Sequence, residues 1–191
     1  HILPGGKESV LKVIASRKTG RILGAQSVGE GPSDKFIDTV AMAIQGEMTC
    51  SQLAEADLAY SPPFSPALSP VIVAAYVLTN KIEGTLGWLS AAELREKRAA
   101  SGNNFVVLDV REAKEVKEKR IPRSQWIPLD ELGKRLGELE KNKEFAVHCH
   151  SGLRSYKASL KLKHHGFTKV ENVDGGLLCW SYDLEGEKAQ D

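Results

Sequence analysis

Cysteine is scarce in this chain: three residues in 191, at positions 50, 149 and 179, an odd number without framework spacing. That excludes a disulfide-stapled scaffold and points to reduced thiols. Long apolar runs are missing as well. The longest, near Val71 to Leu78, falls far short of the ~20 residues that cross a bilayer. No charged-then-apolar signal segment opens the chain, so a cytoplasmic setting with no membrane partner is expected. Neither sign of charge dominates, since 26 Lys and Arg stand against 25 Asp and Glu. Without a global field to recruit polyanions, nucleic acid is not an expected partner. No Gly-x-Gly-x-x-Gly follows a strand-like run, and no paired Cys/His motif completes a zinc site, so neither a dinucleotide cofactor nor a metal is expected in these residues. What remains, 41% hydrophobic and 27% charged, is ordinary for a folded chain of one large or two small domains.

Charge density divides the chain. Residues 1–84 carry 7 Lys/Arg and 8 Asp/Glu, and residues 85–191 carry 19 and 17 together with all three tryptophans. A polar linker is expected near Asn80 to Gly87, giving domains at 1–82 and 83–191. In the first part, strand-like Val10–Ser16 and Arg21–Val28 join through a short turn in which Gly20 supplies positive φ, a β-hairpin. Ser33 is expected to cap a helix from Asp34 to Gln45 that Gly46 stops, Ser51 a short helix through Asp57, and Pro70 to open a third helix reaching Thr79. In the second part, β-branched runs alternate with helical patterns: Val106–Val110 then Glu112–Lys119, Trp126–Pro128 then Asp130–Lys141, Phe145–Cys149 then Arg154–His165, Val170–Val173 then Gly176–Tyr182. Such alternation implies a mainly parallel α/β sheet covered by helices, with ligands beyond the carboxyl ends of its strands.

One of those ends carries a thiol. Phe145-Ala146-Val147 runs into His148-Cys149-His150-Ser151-Gly152-Leu153-Arg154-Ser155, and a helix-like stretch follows. Loop amides and a helix N-terminus there favour thiolate over thiol, and the Arg154 charge is expected to add to them. Cys149 is thus the candidate nucleophile and Arg154 the candidate anion stabiliser, with His150, Ser151, Gly152, Leu153 and Ser155 completing the loop. Cys149 to Arg154 is six residues, one fewer than the cysteine phosphatase loop that wraps a tetrahedral oxyanion. A terminal sulfur carried on the cysteine suits the tighter ring.

Cys149-x-x-Gly152-x-Arg154-Ser155 resembles the active-site loop of single-domain rhodaneses, sulfurtransferases that work through a cysteine persulfide. Val106 to Glu112 resembles that family's Asp-Val-Arg-Glu strand end, Ile121-Pro122 with Ile127-Pro128-Leu129 its next strand, and Asn172 to Gly176 ending at Trp180 its closing Gly-Gly turn. Lys119-Arg120 and Arg123 depart from the family around Ile-Pro. Asp109 and Arg111 lie at a neighbouring strand end as possible supporting residues, with an ion pair inside the domain as their expected use. His148 reads as a strand residue, Lys157 and Lys161 as a solvated helix face, and Cys50 and Cys179 as packing.

The first part carries a second resemblance. Thr19 to Gln26, Asp34 to Asp38 and Asp57 to Ser65 are similar to the dimerisation domain of pyridine nucleotide-disulfide oxidoreductases, in the NADH oxidase and coenzyme A-disulfide reductase branch. The resemblance implies a partial α+β dimerisation domain, a homodimer, and a longer parent enzyme whose FAD/NAD domains precede this piece. It also implies FAD, NAD(P)H and coenzyme A for that parent, none of them for these residues, and a contact from Tyr60 to the partner's redox cysteine. Leu3 stands before Pro4-Gly5 where that family tends to have tyrosine. The joined resemblances imply sulfane sulfur transfer between small thiols, persulfides or thiosulfate. A cysteine phosphatase or arsenate reductase-like loop and a non-catalytic dimerisation or docking module are the alternatives.

Overall fold

The structure, a computed structural model, describes residues 7–62 and 65–186. Leu3, Pro4, Gly5, Pro63 and Phe64 therefore lie outside the described residues. The chain divides into two compact units, with the break between Thr85 and Leu86.

The N-terminal unit begins with an antiparallel hairpin of β1 (Ser9–Ala15) and β2 (Ile22–Gly29). Gly20 at φ 72° makes its turn. Helices α1 (Ser33–Gln45), α2 (Cys50–Ala54) and α3 (Pro70–Glu83) follow. Ile22, Phe36, Val40, Leu53, Val71 and Ala75 form their common core, and Cys50 is packed among them. Three sequence expectations change here. Ser33 is the first helical residue after Pro32 rather than the cap, and its hydroxyl has no hydrogen-bond partner among the described residues. Thr49, not Ser51, caps α2: its hydroxyl accepts the Gln52 amide at 3.3 Å, while the Gln52 side chain accepts the Thr49 amide at 2.9 Å. The expected linker is partly helical, because α3 continues to Glu83 and ends on Gly84 at φ 70°.

In the C-terminal unit a five-stranded parallel sheet runs in the order β3 (Gly87–Leu89), β7 (Val170–Val173), β6 (Glu144–His148), β4 (Phe105–Asp109), β5 (Gln125–Trp126). The helices are α4 (Ala91–Ser101), α5 (Ala113–Glu118), α6 (Leu129–Leu132) and α7 (Leu153–His164). Side-chain alternation gives the three central strands, β7, β6 and β4, two buried faces. Leu108, Phe145, Val147 and Val170 pack with Leu132, Ala158 and Leu162 on one side, and Phe105, Val107, Ala146 and Val173 with Leu94 and Trp180 on the other. The chain passes from β4 to β5 on one side and then crosses to β6 and β7 on the other. The crevice of this α/β sheet thus opens at the carboxyl ends of β4 and β6.

Two elements go beyond the expectation, β3 and α4; the latter is announced by the capping box of Ser90 and Glu93. Two expected helices are shorter. Asp130–Lys141 holds only the end of α6 and a 3₁₀ turn at Leu136–Glu138, because Gly133 and Gly137 each cost a helix about 1 kcal/mol relative to alanine. Gly176–Tyr182 is a 3₁₀ turn over Gly176–Cys179, after which Trp180 turns extended and enters the core. Among the described residues no helix is long and apolar enough to cross a membrane.

Candidate active site

Cys149 follows the last residue of β6, a central strand, so the loop it opens lies between the ends of β4 and β7. Gly152 at φ 116° takes a backbone that a side chain would strain, and this turns its amide onto the Cys149 Sγ at 3.1 Å. The Ser155 hydroxyl stands 3.5 Å from the same sulfur and 3.0 Å from the Gly152 carbonyl. From behind, Leu177 and Leu178 amides donate to the Cys149 and His150 carbonyls at 2.9 and 3.0 Å. Gly176 makes that approach possible, since a Cβ there would fall against both carbonyl oxygens. The closing Gly-Gly turn is therefore the buttress of the loop.

Burial alone pushes the Cys149 thiol up. The Ser155 hydroxyl and the amides of Ser155, Gly152 and Ser151 outweigh it, and the thiol settles below its ordinary value. Burial instead raises Cys50. The thiolate at Cys149 is lost only as pH falls through its depressed value, so its alkylation by iodoacetamide should stay close to its plateau at pH values where a free cysteine, with a pKa of about 8.5, has already slowed. Peptide-resolved alkylation rates against pH check this. A midpoint at or above that of free cysteine overturns it.

Arg154 is tied to a partner outside the loop. Its Nη1 and Nη2 donate to the Glu115 carboxylate at 2.6 and 2.7 Å, and no hydrogen bond joins it to Sγ among the described residues. The loop amides and Ser155 meet the sulfur directly, and the Arg154 charge acts on the thiolate from a distance. The Arg154 hydrogen bonds hold the Glu115 carboxyl at about 2 against the cost of burial. Nothing in the sequence pattern pairs positions 115 and 154, which stand on different elements.

Beneath the loop, Asp109 and Arg111 form the expected ion pair, and it is wholly buried, with 0% and 1% of their surfaces exposed. Arg111 Nη2 meets Asp109 Oδ2 at 2.7 Å and Nε meets Oδ1 at 3.0 Å. The same guanidinium donates to the Glu115 and Lys119 carbonyls. His148 Nε2 lies 3.6 Å from Asp109. That is too long for a hydrogen bond, and burial lowers the imidazole pKa toward the neutral form, so the contact is not an ion pair. His150, Ser151 and Leu153 are exposed at the mouth of the loop, and Ser155 is buried. Tyr60, in the N-terminal unit, is 57% exposed. Cys179 corrects an expectation: it is exposed rather than packed.

The rhodanese-like domain profile matches residues 90–183, and the pyridine nucleotide-disulphide oxidoreductase dimerisation domain profile matches residues 1–71. The putative sulfurtransferase YtwF of Bacillus subtilis is 37% identical over 99 residues, which cover 52% of this chain and 90% of that protein. Reduced Bacillus anthracis CoADR-RHD superposes with a TM-score of 0.87 at 35% identity, over 93% of this chain and 31% of its own. The NAD-dependent persulfide reductase of A. fulgidus superposes at 0.77 with 42% identity, over 90% and 30%. The chain thus spans about a third of the length of either solved protein. It belongs, over its C-terminal half, to the rhodanese-like family, joined to a pyridine nucleotide-disulphide oxidoreductase dimerisation domain.

Proposed function

We propose that the C-terminal unit transfers sulfane sulfur through a persulfide on Cys149, as part of an FAD- and NAD(P)H-dependent disulfide or persulfide oxidoreductase that assembles as a homodimer through its N-terminal unit. The observation that carries the reading is the six-residue loop whose amides and Ser155 hydroxyl converge on one sulfur. The Cys149 thiolate attacks the outer sulfur of R–S–SH, forming Sγ–S while the donor S–S bond breaks, and R–S⁻ leaves and takes up a proton. An acceptor thiolate then attacks the outer sulfur, leaves as its own persulfide, and returns Cys149 to thiolate. No external oxidant or reductant enters this exchange. Cys149 itself is only 1% exposed. The outer sulfur, about 2.05 Å further along the S–S bond, is the atom that reaches the acceptor.

The sheet crevice of the C-terminal unit is not assigned a dinucleotide cofactor. After β4 comes Val110-Arg111-Glu112 and after β6 the cysteine loop, neither a glycine-rich pyrophosphate cradle. FAD and NAD(P)H are therefore assigned to other parts of the parent enzyme, and coenzyme A to its substrates. The two solved relatives named as a CoADR-RHD and a persulfide reductase support this reading.

Incubation with thiosulfate or glutathione persulfide should add one sulfur to the intact mass, located by peptide mapping on Cys149. An adduct spread over Cys50 and Cys179 as well, or absent altogether, overturns the proposal.

A further inference from the structure

Sulfur donors differ in the charge of the group they leave behind. Thiosulfate releases sulfite, a dianion that needs a free cation beside the sulfur. A thiol persulfide releases a single thiolate, and its organic body needs none. The loop amides of Cys149 can meet one negative charge at the sulfur, whichever donor brings it.

The charge at the loop end is already matched. Both terminal nitrogens of Arg154 are engaged by the two Glu115 oxygens, at 2.6 and 2.7 Å, in the planar bidentate arrangement that an oxyanion would need for itself. The pair is two-thirds or more buried, at 32% and 29% exposure, so solvent screens it less than an open surface bridge. The guanidinium also feels the negative charges of the Cys149 thiolate and, more weakly, of Glu112, and Glu115 feels the positive charge of Arg111. Glu115 is itself fixed: its Oε2 accepts the Glu112 amide at 3.1 Å, and the Arg111 guanidinium holds its backbone carbonyl. The carboxylate is thus built into α5, whose turn is tied to the buried Asp109–Arg111 pair.

We infer that Glu115 is a specificity-determining positioning residue: by holding Arg154 in a bidentate pair it turns the site from sulfonate-tailed donors such as thiosulfate toward persulfides of thiols. The inference rests on the sulfur-transfer reading above and names its donor class. In the transfer step the Cys149 Sγ–S bond forms and the donor S–S bond breaks for both donors. Glu115 acts on the leaving group through Arg154 and not on the sulfur.

The test uses the full chain and two donors, thiosulfate and the persulfide of 2-mercaptoethanol, whose body is uncharged. Rapid-quench intact mass gives the second-order rate of loading Cys149 from each. Glu115→Gln should raise the thiosulfate-to-persulfide ratio of these rates about tenfold, the scale of one released charge-assisted hydrogen bond. Glu115→Asp, which keeps the carboxylate, should hold the ratio near the native value. Glu115→Ala should shift it as Gln does, and serves if the Gln variant does not fold. A ratio that stays within twofold of native in the folded Gln or Ala variant overturns the inference, even with sulfur loading intact. Native protein that loads from neither donor overturns the sulfur-transfer reading instead.

Discussion

Cys149→Ser should lose sulfur transfer by more than about a thousandfold, to the level of the uncatalysed exchange between donor and acceptor. The exchange of one atom makes this severe without disturbing the fold. A serine hydroxyl has nearly the shape of the thiol and can accept the same Gly152 amide, and Ser155 remains beside it. The loop is held from behind by the Leu177 and Leu178 amides, which bind carbonyls that the substitution leaves in place. What disappears is a group that is ionised near neutral pH and can form a sulfur–sulfur bond. Steady-state transfer from glutathione persulfide to a thiol acceptor, measured with a thermal melt on the same sample, separates the two effects. Residual turnover above a few per cent in a variant that melts like the native protein would place the persulfide on another cysteine, and the exposed Cys179 would be the next to test.

Much of this site is legible in the sequence because it is local. A strand of Phe145-Ala146-Val147, a thiol, a glycine free to take positive φ and a helix follow one another within a dozen residues, and the geometry comes from that order. Asp109 and Arg111 are two residues apart at a strand end, so both project to the same side and meet. The partner of Arg154 is not legible locally, since it stands 39 positions earlier on α5 and nothing near position 154 points to it. The helix expected over Asp130–Lys141 is cut short because Gly133 and Gly137 weaken it in a way that side-chain pattern does not register. Strand β3 has three residues, too few for any alternation to show.

The largest effect on stability is expected at Arg111, where a single truncation leaves a carboxylate buried without its partner. Arg111→Ala should destabilise the C-terminal unit by about 3–5 kcal/mol, the range for breaking a buried ion pair from one side. Three losses combine there. Among the described residues the Asp109 carboxylate keeps one hydrogen bond, from the Arg111 backbone amide at 3.0 Å, the Glu115 and Lys119 carbonyls lose their guanidinium donor, and the space of a large, fully buried side chain opens. All three tryptophans lie in the C-terminal unit, Trp126 bonded through its indole nitrogen to the Arg111 carbonyl at 2.9 Å. Urea unfolding followed by tryptophan fluorescence therefore reports on this unit separately from the hairpin unit. The partner substitution decides whether the pair or the shape matters: replacing both residues at once, Asp109→Leu with Arg111→Met, should cost clearly less than Arg111→Ala, because no unpaired charge remains in the interior. A loss below about 1 kcal/mol in Arg111→Ala, or a double variant as unstable as the single, would show that solvent or another cation reaches Asp109 and that the pair does not carry the base of the loop.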